Sequence, residues 1–247
     1  MISLLKRLWV FYWYAVFTVH FFLVYPFLFL FSQKEWGQRF IMFFRTFCLH
    51  NLFILTGLIW KRLEEDGYKE FMKNEFGKKG AIYAGNHSSY LDIPAMVILQ
   101  GKVRFMAKVE LSRIPSFGRI IRAIDIPVDR SSKMGSYRAY KQASDYLKAG
   151  EVVGVFPEGT TCDNAPKLLP FKNGTFKLAI ENNVPIVPVT FLDNFKRYLS
   201  DGKGLGSPGR VRIVAHAPIY PDGETESSLK EKVYNTINNR LIQEYGS

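Results

Sequence analysis

Two apolar blocks open the chain, and an alternating pattern follows them. Residues 8–33 carry no charged side chain and are dense in Trp, Phe and Tyr. At about 1.5 Å per residue, a helix over this run reaches the ~30 Å hydrocarbon thickness of a bilayer. Pro26 should kink such a helix, which a membrane segment tolerates better than a soluble one. Trp9, Tyr12, Trp13 and Tyr14 cluster as aromatic side chains do near a headgroup boundary. No small-residue cleavage site follows, so the run reads as an anchor rather than a removed leader. The second block, residues 36–60, is interrupted by Arg39 and Arg45, which leaves an uncharged stretch too short to span at helical rise. Lys6-Arg7 before the pair and Lys61-Arg62 after it favour a hairpin that turns at 32–38 and returns to its starting side. The positive-inside rule makes that side cytoplasmic. The arginine interruptions favour two helices embedded in one leaflet, with guanidinium groups snorkelling to headgroups, over two tilted spans.

After Lys61 short β-rich runs appear at 81–84, 103–107, 124–128, 152–156, 186–191 and 211–215. Helix-like segments lie between and after them, at 90–99, 117–122, 134–148, 175–181 and 228–244. This alternation predicts an α/β fold, a mixed, mostly parallel sheet flanked by helices. The expected division is a two-helix membrane anchor over 1–62 and an α/β domain over 63–247. No internal repeat or low-complexity tract interrupts the domain. The glycine-rich segment 202–209 lacks the GK[ST] of a phosphate loop and reads as a mobile loop.

Composition narrows the picture in two ways. A chain of 247 residues, 47% hydrophobic, can bury a core without disulfide or metal staples. Its two cysteines, Cys48 and Cys162, form no CxxC pair, which excludes a zinc ribbon and a disulfide scaffold. The formal charge is +11. Part of it flanks or interrupts the apolar blocks. Most of the rest falls in residues 102–141, where ten basic side chains face three acidic ones. A local cationic excess points to an anionic partner, and no nucleic-acid motif accompanies it.

The sharpest chemical feature is Asn86-His87-Ser88-Ser89-Tyr90-Leu91-Asp92, placed directly after the apolar run 81–84. In one continuous helix, His and Asp five apart sit about 140° around the axis and diverge. They meet if His87 lies in the strand exit and Asp92 in the first helical turn. Ser88 or Ser89 is a natural N-cap, and Pro94 is tolerable only near the helix start. An imidazole oriented by a carboxylate is a general base, although on spacing alone such a pair is more often structural than catalytic. There is no Gly-x-Ser-x-Gly elbow to make Ser88 or Ser89 a nucleophile. His20, His50 and His216 are scattered without metal-ligand spacing, so no metal site is expected.

The NHSSYLD segment resembles the NHx4D block of the glycerolipid acyltransferases, the family that contains the 1-acyl-glycerol-3-phosphate acyltransferases. The resemblance continues in the family's order over roughly residues 80–190. Lys108-x-Glu110-Leu111 with Pro115 and Gly118, then Ile126-Pro127-Val128-Asp129-Arg130, look like its next segments. Phe156-Pro157-Glu158-Gly159-Thr160 and Val184-Pro185-Ile186-Val187-Pro188-Val189 look like its third and fourth blocks, with Pro170-Phe171-Lys172-x-Gly174 between them. Two positions depart. Ile124 stands where the second block usually has Gly, and Thr161-Cys162 stands where Arg-Ser commonly follows the third. The second departure leaves the cation that completes phosphate binding open among Arg130, Lys108, Lys167 and Lys172.

The resemblance implies transfer of a fatty acyl group from an acyl carrier protein or CoA thioester to the sn-2 hydroxyl of lysophosphatidic acid. His87 is then the base and Asp92 its orienting group, with no covalent enzyme intermediate and no cofactor beyond the thioester co-substrate. Backbone N–H groups at the start of the helix after His87 are the expected oxyanion donors. Arg130 and Lys108 with Glu158, Gly159 and Thr160 would locate phosphate and glycerol, Glu158 meeting a hydroxyl or Arg130. Pro157, Pro188 and Ser88 would border the acyl or donor pocket, the prolines alternatively shaping a turn and a strand edge. The implied setting is a monomer on the cytoplasmic face of the cell inner membrane, in contact with the phospholipid bilayer. Other acceptors remain open: glycerol-3-phosphate, another lysophospholipid, or a lipid A or ornithine-lipid precursor. A non-catalytic protein that binds anionic membranes would explain the anchor and the cations but not the motif set.

Overall fold

The computed structural model describes residues 1–31, 35–100, 102–115 and 117–246. Two long helices, α1 (Ile2–Phe31) and α2 (Glu35–Leu55), open the chain. The hairpin turn expected at 32–38 falls in part on residues 32–34, which lie outside the described residues. Strand β1 (Leu58–Glu64), α3 (Asp66–Asn74), β2 (Ala81–Gly85), α4 (Asp92–Leu99) and β3 (Val103–Lys108) follow. A 3-10 turn (Val109–Arg113), α5 (Phe117–Ile124), β4 (Ile126–Val128), α6 (Lys133–Lys148) and β5 (Val152–Val155) continue the chain. It closes with α7 (Gly174–Asn182), β6 (Ile186–Phe191), α8 (Asn194–Tyr198), β7 (Gly209–Ala215) and α9 (Glu226–Tyr245). Among the described residues the strands form one seven-stranded sheet in the order β1-β7-β6-β2-β5-β3-β4. Every pairing is parallel except β6 with β7.

Both faces of the sheet are covered, and the strand period assigns side chains to each. In β2, Ala81 and Tyr83 join one core, with Val187, Val189 and Phe191 of β6 and with α3 and α4. Ile82 and Ala84 point to the other core, which holds α6, α7 and α9. Leu229, Val233, Ile237 and Leu241 give α9 a buried stripe of helical period. The strand and helix segments expected after residue 80 are present with small shifts. One shift is at Ile124, which ends α5 rather than opening β4. It continues the buried face made by Ile120 and Ile121.

The helix pair is attached differently from what the hydrophobic pattern suggests. β1 pairs along its whole length with β7, from Leu58 opposite Gly209 to Glu64 opposite Ala215. A boundary at 62/63 therefore cuts a strand of the sheet, and the helix pair ends at Leu55. Leu58–Glu64 reads in sequence as the tail of an apolar block followed by a cationic flank, which hides its strand character. Trp9 and Trp13 do not form a headgroup belt. Trp9 donates from Nε1 to the Thr56 carbonyl at 2.9 Å, and Trp13 is buried against Tyr198 and Phe17. Arg45 does not snorkel outward. It turns into the domain, donating to Asp125 at 3.3 Å and to the Val103 carbonyl at 2.5 Å, whereas Arg39 is exposed. The 202–209 segment packs against α1: a side chain added at Gly206 would meet the Trp9 ring at 2.5 Å. Among the described residues α1 is the one helix long and apolar enough to cross a membrane by length and composition.

Candidate active site

In the parallel part of the sheet, β2, β3, β4, β5 and β6 all end on one edge. Chain order reverses beside β2, with β3 and β4 laid out to one side and β6 to the other. Such a switch point leaves a crevice outside the carboxyl ends of the strands. The segments emerging there carry Asn86-His87 after β2, Lys108 at the end of β3, Arg130 after β4, Phe156–Gly159 after β5 and Asn194 after β6.

His87 lies in the loop and Asp92 opens α4, which lets side chains five apart meet: His87 Nδ1 is 3.0 Å from Asp92 Oδ2. The same oxygen accepts the N–H groups of Ser88 and Ser89, each at 2.8 Å. Asp92 thereby occupies the two backbone donors that directly follow His87. Ser88 and Ser89 do not cap α4 with their side chains; Leu91 holds the N-cap position, and the Ser89 hydroxyl accepts the Leu91 N–H. Pro94 falls in the first turn, where its missing N–H costs nothing. Asn86 ties the strand exit to β6, donating to the Phe191 carbonyl at 3.2 Å and accepting the Phe191 N–H at 2.8 Å.

Asp92 is fully buried, while the His87 side chain retains 19% of its surface. The Phe156 ring stacks on the imidazole at 4.1 Å between centroids, 19° off parallel. With Nδ1 engaged and one face covered, the free edge of the ring carries Nε2, which has no hydrogen-bond partner among the described residues. An imidazole so held accepts a proton at one defined position.

Glu158 is buried and, among the described residues, does not pair with Arg130. Its carboxylate accepts the His87 N–H at 2.7 Å and the Leu169 N–H at 2.9 Å, tying the β5 exit to the β2 exit. Burial pushes its pKa up to about 7, against the pull of those two donors and of the nearby His87. Gly159 sits at φ +73°, a backbone conformation that favours glycine, and the end of the exposed Lys172 side chain lies over it. The Gly159 carbonyl accepts from Arg130. Arg130, Lys172 and Lys108 are exposed, as is Thr160. Cys162 is buried; its N–H holds the His87 carbonyl at 2.7 Å and its thiol donates to the Lys167 carbonyl.

An apolar cavity of about 290 Å³ lies between the helix pair and the domain, bordered by Trp13, Phe17, Phe44, Leu49, Val97 and Phe105. Tyr90, Ile93 and Leu111 also border it and are partly exposed. The rings of Phe105 and Phe156 lie nearly parallel, 6.4 Å apart, and Phe156 in turn covers His87. One aromatic ring thus separates the cavity wall from the imidazole. Pro157, Pro188 and Ser88 do not border this cavity. Pro188 is buried in β6 opposite Ala84, with its carbonyl bonded to the His216 N–H. Ser88 is buried, and its carbonyl accepts from Ser200.

Two groups at the site have roles that the sequence does not signal. Phe156 opens the third block of the resemblance, but nothing in the sequence marks it as the ring that stacks on His87. Asn194, whose Nδ2 donates to Asp92 Oδ1 at 2.7 Å, is an ordinary polar residue after a strand, 102 positions from its partner. Only the pairing of β2 with β6 brings them together.

A family model described as acyltransferase matches residues 62–192. A chloroplastic 1-acyl-sn-glycerol-3-phosphate acyltransferase of Brassica napus is 32% identical over 157 residues, 63% of this chain and 45% of that protein. A 1-acyl-sn-glycerol-3-phosphate acyltransferase of Bacillus subtilis (strain 168) is 27% identical over 191 residues, 76% of this chain and 88% of that protein. The chain spans less than half the length of the chloroplastic relatives of Brassica napus and Arabidopsis thaliana and of the relative in Chlamydomonas reinhardtii. In fold it is similar to the crystal structure of the 1-acyl-sn-glycerophosphate acyltransferase PlsC from Thermotoga maritima. That likeness has a TM-score of 0.82 at 24% identity, over 100% of this chain and 99% of the other. The family match spans more than half of the sequence and includes every segment that forms the His87 crevice except the turn into α8, and on that ground the chain belongs to the acyltransferase family.

Proposed function

We propose that this protein transfers a fatty acyl group from a thioester, carried by acyl carrier protein or CoA, to the sn-2 hydroxyl of lysophosphatidic acid, forming phosphatidic acid. The observation that carries this reading is His87, held at Nδ1 by a buried carboxylate and open at Nε2, between a cationic rim and an apolar cavity. Its support from relatives is that those in Brassica napus and Bacillus subtilis bear the name of this activity.

The step follows from the geometry. His87 Nε2 takes the proton of the acceptor hydroxyl as its oxygen attacks the thioester carbonyl. Asp92, across Nδ1, fixes the tautomer and stabilises the imidazolium that forms. When the tetrahedral intermediate collapses, the C–S bond breaks and His87 returns the proton to the leaving thiolate. The thioester is already activated, so no enzyme nucleophile is needed. Arg130 and Lys108, at the exits of β4 and β3, present cations for the acceptor's phosphate, Arg130 through a planar fork. The apolar cavity takes an acyl chain. Glu158 acts on the backbone: it holds the His87 loop against the third motif and leaves phosphate to the cations.

Attachment of the helices supports a one-leaflet arrangement; the side, the cytoplasmic face of the cell inner membrane, is proposed from the positive charges that flank the helix pair. α1 touches the domain along its length, through Trp9 and Trp13 on Tyr198, Phe21 on Phe117 and Phe29 under Arg119. α2 is tied inward at its middle by Arg45. Helices that lie along a polar domain expose one flank, and the exposed Leu4, Leu5, Leu8, Phe11, Phe22 and Phe47 make that flank apolar.

The test uses the purified chain in mixed micelles with labelled lysophosphatidate and, separately, acyl carrier protein and CoA thioesters. Phosphatidate is the expected product with at least one donor. No product with either donor overturns the reading, and faster acylation of glycerol-3-phosphate or another lysophospholipid overturns the acceptor. Arg130→Ala should raise KM for lysophosphatidate about 10-fold, the loss of one charge-assisted contact, with little change in kcat.

A further inference from the structure

Asn194 lies two residues beyond the segment matched by the family model, yet it touches the carboxylate that orients His87. It is fully buried at the start of α8. Asp92 Oδ2 takes three donors, His87 Nδ1 and the N–H groups of Ser88 and Ser89. Asp92 Oδ1 takes the Asn194 amide, its one hydrogen bond among the described residues. A carboxylate held at one oxygen alone can still turn about Cβ–Cγ; a donor on the second oxygen fixes its plane. The Asn194 Oδ1 atom is itself buried and has no hydrogen-bond partner among the described residues. Burying an unmet acceptor is unfavourable, and a leucine of similar size would avoid it, so packing alone does not account for an amide here.

α8 is held from three directions. The Ser89 hydroxyl lies within hydrogen-bond distance of the Asn194 and Tyr198 carbonyls, at 3.1 and 2.5 Å. The Ser200 N–H reaches the Ser88 carbonyl at 3.0 Å. The Tyr198 ring packs edge-on against Trp9, Trp13 and Tyr14 of α1, and its hydroxyl lies 3.2 Å from that of Tyr14.

We propose that Asn194 is a positioning residue of the acyl transfer: through Asp92 it sets the direction in which His87 presents Nε2, and α8, clamped beneath α1, keeps it there. This rests on the reading of His87 as the base.

The first test replaces the amide by an isosteric apolar group, Asn194→Leu. A fall in kcat of roughly 10- to 100-fold is expected, the factor that corresponds to one hydrogen bond to a charged group, with KM for both substrates within about twofold. In an Asp92→Ala background the same substitution should change kcat by less than about twofold, because a residue acting through Asp92 has nothing left to act on. A purely structural role would give the same loss in both backgrounds and would sink the proposal. A second readout does not depend on turnover. With ¹⁵N-histidine labelling, the His87 Nδ1 resonance, assigned by its absence in His87→Ala, should move in Asn194→Leu. An unmoved resonance with unchanged kcat overturns the proposal. If the wild-type chain transfers no acyl group while the resonance moves, the functional reading fails and the positioning contact stands. Should Asn194→Leu not fold, Asn194→Ser removes the amide donor while keeping the site polar, and the same two outcomes decide.

Discussion

Among the described residues are two histidine–carboxylate pairs of similar length and opposite design. His87 and Asp92 are 3.0 Å apart, with the carboxylate fully buried and the imidazole 19% exposed. His216 and Glu65 are 2.7 Å apart, with the imidazole 3% exposed and the carboxylate 48% exposed. His87 Nε2 faces the crevice, whereas His216 Nε2 meets the Thr190 hydroxyl at 2.8 Å. Thr190, His216 and Glu65 thus follow the order of a hydroxyl, a base and an acid, but Thr190 and His216 are buried beyond the reach of any substrate. β7 runs against β6, so its carboxyl end points away from the edge that carries His87. There Glu65 also accepts the Ala217 N–H and sits at the N-cap of α3, stapling β1, α3, β6 and β7 together. What separates a base from a staple is whether Nε2 is left free and on which side of the sheet it faces.

The comparison can be broken most sharply by exchanging losses. His87→Ala should lower acyl transfer about 10²- to 10⁴-fold with the fold retained, measured as labelled phosphatidate formed. His216→Gln should keep kcat within about threefold and lower the melting temperature instead. Activity that survives His87→Ala, or vanishes in His216→Gln with the melt unchanged, reverses the assignment.

The carboxylates should divide in the same way. Asp92→Asn places an amide against the Ser88 and Ser89 N–H groups and favours the wrong imidazole tautomer, so kcat should fall about 10²-fold or more. Glu65→Gln should leave turnover nearly unchanged. A smaller effect is expected at Thr190→Val, which leaves the buried His216 Nε2 without its hydroxyl donor. Stability should fall by about 1–3 kcal/mol in a denaturant titration, with no change in kcat.

Acid sharpens the contrast further. Burial holds the His216 imidazole below its ordinary value of 6.5, against the pull of Glu65 and with Arg240 also disfavouring its charge. For Glu65, burial pushes upward, but the Ala217 N–H and His216 outweigh it and leave the carboxyl below its ordinary value of 4.5. Both groups bind protons less readily folded than unfolded. Their stabilisation is therefore complete above about pH 6.5 and declines as pH falls, first through His216 and below about 4.5 through Glu65. Glu158 works in the opposite sense. Its folded pKa near 7 exceeds the ordinary 4.5, so its contribution diminishes as pH rises from about 4.5 to about 7. Between pH 5 and 7 the melting temperature should rise less, or fall more, with increasing pH in His216→Gln than in wild type, because Glu158 then acts unopposed; an identical pH dependence would remove His216 from the acid response.

Local chemistry was legible where a short segment carried it. His87 and Asp92 are close in sequence, and a strand-to-helix turn is enough to join them. The cationic segment was legible in number but not in placement. Arg104 is buried, paired with Glu151 and stacked on Tyr146, and Arg122 bonds the Ser112 carbonyl, while Lys108 and Arg130 stand at strand exits. A charge count cannot tell a cation that satisfies an internal acceptor from one that faces solvent.

The sequence by itself determined the apolar opening, the alternating α/β domain and the His–Asp motif, because each is a local pattern of period, turn or spacing. Only the tertiary structure decided that the opening helices lie clamped along the domain, since Trp9, Trp13 and Arg45 find partners that no local pattern names. Only it decided that Glu158 holds backbone, that Asn194 faces Asp92 and that His216 is a staple. Those contacts depend on which strands pair and in which direction, and that is set by burial over the whole chain rather than by any segment of it.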